Sequence, residues 1–212
     1  MMCGAPERTP ERDAALAAML PFVPRHGWGW PALRAALSEQ GQPPMDAELL
    51  FPGGTADLLE AFIDAADRDM TRLAAAPEFA ELRTTGRVRA LVLGRLAGLR
   101  AHREAVRRAA GVLALPRHAG LAARTLARTV DEIWHLAGDT SADFSWYTKR
   151  ALLAGVYSAT LLYWLGDASE GDASEGDAAT AEFLDRRLAG VGRIGKLRGR
   201  VERVVGRMRP AA

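Results

Sequence analysis

Cysteine is almost absent from this chain: Cys3 is the single one among 212 residues. One thiol excludes a disulfide framework and any multi-cysteine metal site, and it suits a reducing compartment. Long apolar runs are missing too. The longest, Ala151 to Leu165, stops short of the roughly 20 residues that a membrane-spanning helix needs. The opening "MMCGAPERTPERD" is charged and contains proline, with no apolar core of a secretory signal and none of the acid-poor, Arg- and Ser-rich character of a transit peptide. No stretch alternates polar and apolar residues as a strand does. G-x-S-x-G, P-loop and G-x-G-x-x-G patterns are lacking, and His26, His102 and His118 stand in no catalytic spacing. These residues assign no catalytic group, metal or cofactor, and nothing in them asks for an enzyme.

What remains is helical. With 49% hydrophobic and 25% charged residues the chain has the balance of a globular protein able to bury a core. Apolar periodicity predicts helices over about 11–24, 31–40, 45–51, 55–75, 78–84, 86–99, 101–114, 119–137, 143–166 and 180–208. Thr55, after Gly53-Gly54, is the expected N-cap of the long fourth segment, and Thr140 with Asp143 resembles a capping box. The tandem "DASEG" at 167–171 and 172–176 is acidic and small, so it predicts a surface loop; nothing in it organises its carboxylates as a calcium loop does.

Charge is segregated. Residues 1–60 hold four Arg against eight Asp and Glu, a net of −4, while residues 193–212 hold seven Lys and Arg against Glu202, a net of +6. The first sixty residues, running from "RHGW" to "LLFPGGTADLLEAF", resemble the helix-turn-helix module of TetR-type regulators. Binding to DNA depends on Lys and Arg near the recognition helix, to neutralise phosphates. The corresponding "PPMDAELLF" carries Asp46 and Glu48 and no basic residue. A regulator-like fold without nucleic-acid binding is expected. A ligand-responsive TetR-type regulator remains the alternative.

A second resemblance is more specific. "LPFVPRHGW" at 20–28 and "DEIWHLAGDTSADFSWYTKRALLAGVYSATLLYWL" at 131–165 resemble the ubiquinone-biosynthesis accessory protein Coq nine family, whose members are TetR-like, lipid-binding and non-enzymatic. The likeness extends over about residues 11–190 and excludes the DASEG insertion and much of 31–50. It implies an all-α, TetR-like bundle in three parts: a helix-turn-helix-like module at 11–75, a lipid-binding and dimerisation core at 76–190, and a basic amphipathic membrane-associating helix at 193–209. It further implies that Trp146 and Tyr147, with Asp131 on the preceding helix, bind the di-iron demethoxyubiquinone hydroxylase. A cavity would hold an isoprenoid quinone precursor or phospholipid, with Leu152, Leu153, Val156, Leu162 and Trp164 as lining candidates. The residues themselves leave alternatives. Trp and Tyr suit interface centres, yet Trp146 also suits the lid of a core; small residues on packed helices permit either close approach or a cavity.

The tail speaks for itself. Ile194, Leu197, Val201, Val204, Val205 and Met208 recur at helical spacing, with Lys196, Arg200 and Arg207 among the cations around them. Such a helix suits an anionic bilayer surface, each well-placed cation adding about 1 kcal/mol. Gly195, Gly199 and Gly206 each weaken it by roughly 0.8–1 kcal/mol, so it is expected to fold on lipid or on another subunit, or else to dock on its own core. Glu132 and His135 have the Glu-x-x-His spacing of di-iron bundles, which need two such motifs and two further Glu; with one copy, an iron-dependent oxygenase is the weaker reading. A homodimer is expected by analogy with regulator-like folds. Ala-, Arg- and Gly-rich usage suggests a bacterial cytoplasmic protein peripherally associated with the inner membrane.

Overall fold

The computed structural model describes residues 7–139, 144–166 and 177–190. These contain helices and turns and no strand. The chain divides into two compact units, Met1–Ser141 and Ala142–Ala212.

In the first unit, α1 (Pro10–Met19) is capped by Thr9, whose hydroxyl accepts from the Arg12 N–H. A tight 3-10 turn leads to α2 (Val23–His26), which Gly27 ends at φ 76°, a left-handed conformation that glycine adopts without a Cβ penalty. Then come α3 (Trp30–Glu39), the short α4 (Asp46–Leu50) and the long α5 (Gly54–Ala74). Gly54, at φ 58°, lies under the Trp30 ring, where a Cβ would be 3.5 Å from the indole. The expected N-cap, Thr55, has another task. Gly53 occupies the cap, and the Thr55 hydroxyl donates to the Trp28 carbonyl at 2.8 Å, tying α5 to the α2–α3 turn.

The module α1–α5 closes on Leu33, Leu37, Phe51, Leu58 and Leu59, all fully buried. Burial of such side chains, about 1.5–3 kcal/mol each, supplies its main stabilisation. Trp28 bridges onward: its Nε1–H donates to the Ala105 carbonyl at 2.9 Å and its ring lies 5.0 Å from Phe62. Arg12, nearly inaccessible, donates to the Leu50 carbonyl and to Asp57 and stacks its guanidinium 4.2 Å over Phe51.

Beyond α6 (Pro77–Glu81), α5 packs against α7 (Thr84–Gly98) and α9 (Ala119–Leu136), with α8 (Arg103–Leu113) between them in sequence. The α5–α7–α9 interface is polar at its centre. Asp67 accepts from Arg95 at 2.6 Å and from the Thr129 hydroxyl at 2.9 Å, all three being buried. Burial pushes the Asp67 carboxyl above its ordinary range, and the Arg95 charge pulls it back. Nearby, Asp64 takes two hydrogen bonds from Arg8, at 2.8 and 2.9 Å.

The second unit contains α10 (Phe144–Gly166) and α11 (177–190). Tyr163 of α10 stacks on Phe183 of α11, centroids 4.4 Å apart and planes within 10°. The Arg187 guanidinium lies 4.9 Å from the same Phe183 ring. The capping pair Thr140/Asp143, the DASEG repeat and the tail 193–212 lie outside the described residues.

Candidate functional site

The start of α10 carries the Trp-Tyr pair. Adjacent helix positions diverge by about 100°, and the two rings divide accordingly: Tyr147 is 68% exposed, whereas Trp146 is half-buried. They meet edge to face, centroids 4.7 Å apart at 75°. Four residues on, one helical turn, Arg150 lays its guanidinium 3.8 Å over the Trp146 ring. The motif reading missed this cation; the i, i+4 spacing of Trp146 and Arg150 was its signal. A rigid indole under a cation, with a phenol standing outward beside it, offers an amphipathic contact surface with few rotors to freeze. Asp131 stands on α9 in the first unit, half-buried.

The proposed lining residues part company around α10. Leu153, Val156, Thr160 and Trp164 recur every three or four positions and are buried. The Thr160 hydroxyl donates to its own backbone, at the Val156 carbonyl, 2.8 Å away, so this hydroxyl is satisfied within the helix. Leu152 is half-buried, and Leu162, about half a turn away from Leu153, is 62% exposed. The membrane-binding candidates Ile194, Lys196, Leu197, Arg200, Val201, Val204, Arg207 and Met208 lie outside the described residues. No described helix is long and apolar enough to cross a membrane.

Two other sequence candidates can be placed. Glu132 accepts a long hydrogen bond, 3.4 Å, from Thr71, and His135 is exposed. Among the described residues no cluster of three His, Cys, Asp or Glu is positioned to hold a metal. At the recognition-helix position, Met45 at the cap of α4 (73%) and Leu49 within it (79%) are exposed, and Glu48 is salt-bridged to Arg34. An apolar, acidic surface is the wrong chemistry for a phosphate backbone.

Comparison with known proteins gives this geometry a context. Residues 119–195 match the COQ9 family model. The human protein named "Ubiquinone biosynthesis protein COQ9, mitochondrial" is 34% identical over 161 residues, 73% of this chain and 50% of that protein. The Schizosaccharomyces pombe protein named "Ubiquinone biosynthesis protein coq9, mitochondrial" is 33% identical, covering 73% of this chain and 60% of its own length. The chain spans about half the length of the curated relatives it matches. Among solved structures, a TetR transcriptional regulator from Nitrosomonas europaea matches with a TM-score of 0.69 at 22% identity, over 85% of this chain and 97% of that one. At that identity the likeness fixes the fold alone: all-α and TetR-like.

One expectation is overturned. A bacterial cytoplasmic setting does not fit relatives that are eukaryotic and carry "mitochondrial" in their names. The expectation came from Ala-, Arg- and Gly-rich composition and the character of the first residues, and neither property encodes a compartment.

Proposed function

This chain belongs to the COQ9 family, and from that membership we propose that it serves ubiquinone biosynthesis as a non-catalytic, lipid-binding accessory protein. In this reading the chain shelters an isoprenoid quinone precursor, meets the anionic membrane surface through its basic tail, and offers the precursor to the demethoxyubiquinone hydroxylase. The hydroxylase does the chemistry. Trp146, Tyr147 and Asp131 are its contacts on this chain, and a homodimer is the working assembly.

The observation that carries the reading is the state of Tyr147. It lies within the segment matched by the family, at the head of a largely apolar helix, and keeps 68% of its surface exposed. Interface hot spots are enriched in Trp, Tyr and Arg, and this site brings all three together through Arg150. The apolar, buried side of α10, with Leu153, Val156 and Trp164, supports a sheltered lipid in its chemistry.

Deleting the gene and following quinones by mass spectrometry tests the proposal. A demethoxy intermediate should accumulate. The unaltered gene should clear it, and a Trp146→Ala, Tyr147→Ala double variant produced at the same level should not. Normal quinone in the deletion strain would end the proposal.

A further inference from the structure

The helix-turn-helix-like module has an unused face. Met45 and Leu49 are the most exposed large hydrophobic side chains among the described residues, and both belong to the α4 turn. Beside them Pro10 and Ala14 of α1 and Leu50 of α4 line an open groove of about 760 Å³, with Glu11 and Asp46 also on its walls. Apolar surface rimmed by polar groups marks an interaction site more often than a bare exposed residue does. The sign of the charge says what sort of partner fits. Residues 1–60 sum to −4, four Arg against eight acids, so nucleic acid and an anionic bilayer are both repelled.

The groove asks for a helix with an apolar stripe and a cationic remainder, the geometry of helix-in-groove recognition. The chain encodes one. In residues 193–212, Ile194, Leu197, Val201, Val204 and Met208 recur at helical spacing, and seven cations face one acid. We propose that the groove between α1 and α4 receives the basic amphipathic segment 193–212 of a second copy of this chain. Two copies exchanging tails reciprocally form a closed, two-fold pair. Neither lipid nor quinone enters this contact. It uses the same apolar stripe that a bilayer would use, so the tail holds either a second copy or a membrane at any moment.

Photo-crosslinking of the full chain tests this. Benzoylphenylalanine replaces Leu49, whose exposure leaves room for it. Light and nitrogen-15 copies are mixed, irradiated at low salt without lipid, digested and analysed by mass spectrometry. Mixed light–heavy peptides joining position 49 to residues 193–212 are expected. Reversing the groove charge with Glu11→Lys and Asp46→Lys should lower their yield by about tenfold, and so should Leu197→Asp with Val201→Asp, which leaves α1–α11 untouched. The same probe at exposed Leu82, away from the groove, should not capture the tail. The proposal is overturned if position 49 captures the tail of its own copy only, captures other segments or nothing, gives a yield that ignores both pairs of substitutions, or does no better than Leu82. Anionic vesicles added before irradiation should suppress the mixed products; products that persist unchanged would show that groove and bilayer do not share the stripe.

Discussion

The two longest described helices treat their polar residues in opposite ways. α5, of 21 residues, buries Asp64 and Asp67 and has Arg8, Arg95 and Thr129 brought to them from other parts of the chain. α10, of 23 residues, buries Leu153, Val156 and Trp164, and its buried Thr160 hydroxyl turns back on its own backbone. Arg150 and the most exposed aromatic, Tyr147, are held at the start of the helix. Burying a charge costs several kcal/mol per ion unless a partner sits in good geometry. A helix with buried carboxylates is thereby committed to one arrangement of its neighbours. A helix with an exposed tyrosine is committed to nothing, and the side chain stays available. α5 specifies the fold, and α10 displays a surface.

The largest expected effect breaks the first half of that comparison. Arg95→Met leaves Asp67 buried with the Thr129 hydroxyl and Arg128, 3.7 Å away, as its remaining partners, and should destabilise the protein by about 3 kcal/mol, the low end for breaking a buried pair, read from the urea midpoint of unfolding. Adding Asp67→Leu removes the stranded charge and should restore most of the loss, since a buried ion pair exchanged for packed apolar side chains is often neutral. The single variant also has a pH signature. Burial already raises the Asp67 carboxyl, and Arg95 opposes that. Without Arg95 the carboxyl takes a proton more readily, so the penalty should shrink as pH falls. A single variant with an unchanged midpoint would show that α5 does not depend on this seam.

A smaller effect comes from Asp13, which Arg68 grips at 2.6 and 2.8 Å across α1 and α5. The hydrogen bonds from Arg68 are the main reason its carboxyl is held below the ordinary range. A carboxylate lowered in the folded state stabilises in full above its unfolded value, and that contribution is lost as pH falls through the folded value. Asp13 is 41% exposed, so water screens the pair and the contribution at neutral pH is of order 0.5–1 kcal/mol. Asp13→Asn should therefore be less stable than the parent at pH 6, and the difference should shrink as pH falls into the acid range, by thermal unfolding at each pH. A constant difference across that range would assign the effect to packing.

These contrasts divide what the sequence makes legible from what it hides. Helix positions follow from apolar spacing, and α5, α9 and α10 lie within a residue or two of the expected spans because each repeats its pattern for five turns or more. Caps are less legible. After two glycines Thr55 looks like an N-cap, but the Trp28 carbonyl, 27 residues earlier, claims its hydroxyl. The polar seam was invisible for the same reason: Arg95 and Thr129 are 28 and 62 residues from Asp67, and periodicity reports a buried face without saying which polar residue answers which. At the candidate site the Trp146–Tyr147 pair was legible as a motif and Arg150 was not. The exposure of Met45 and Leu49 depends on what the rest of the module leaves uncovered, which no local pattern records.

The smallest effect on stability tests the other half of the comparison. Tyr147→Ala removes a ring that is mostly in water, and such surface truncations usually fall within about 0.5 kcal/mol. Trp146→Ala should cost more, because its half-buried ring also supports Arg150 at 3.8 Å. Binding to the proposed hydroxylase partner should rank the two differently. An exposed tyrosine that anchors an interface should lower affinity by about tenfold or more on truncation, measured by titration against the purified partner. Trp146→Phe keeps an aromatic face under Arg150 and should keep most of the stability. The telling result is the split: Tyr147→Ala with near-native melting and weakened binding makes the start of α10 a display surface. If its melting falls as far as that of Arg95→Met, Tyr147 belongs to the framework, and the contrast between the two helices fails.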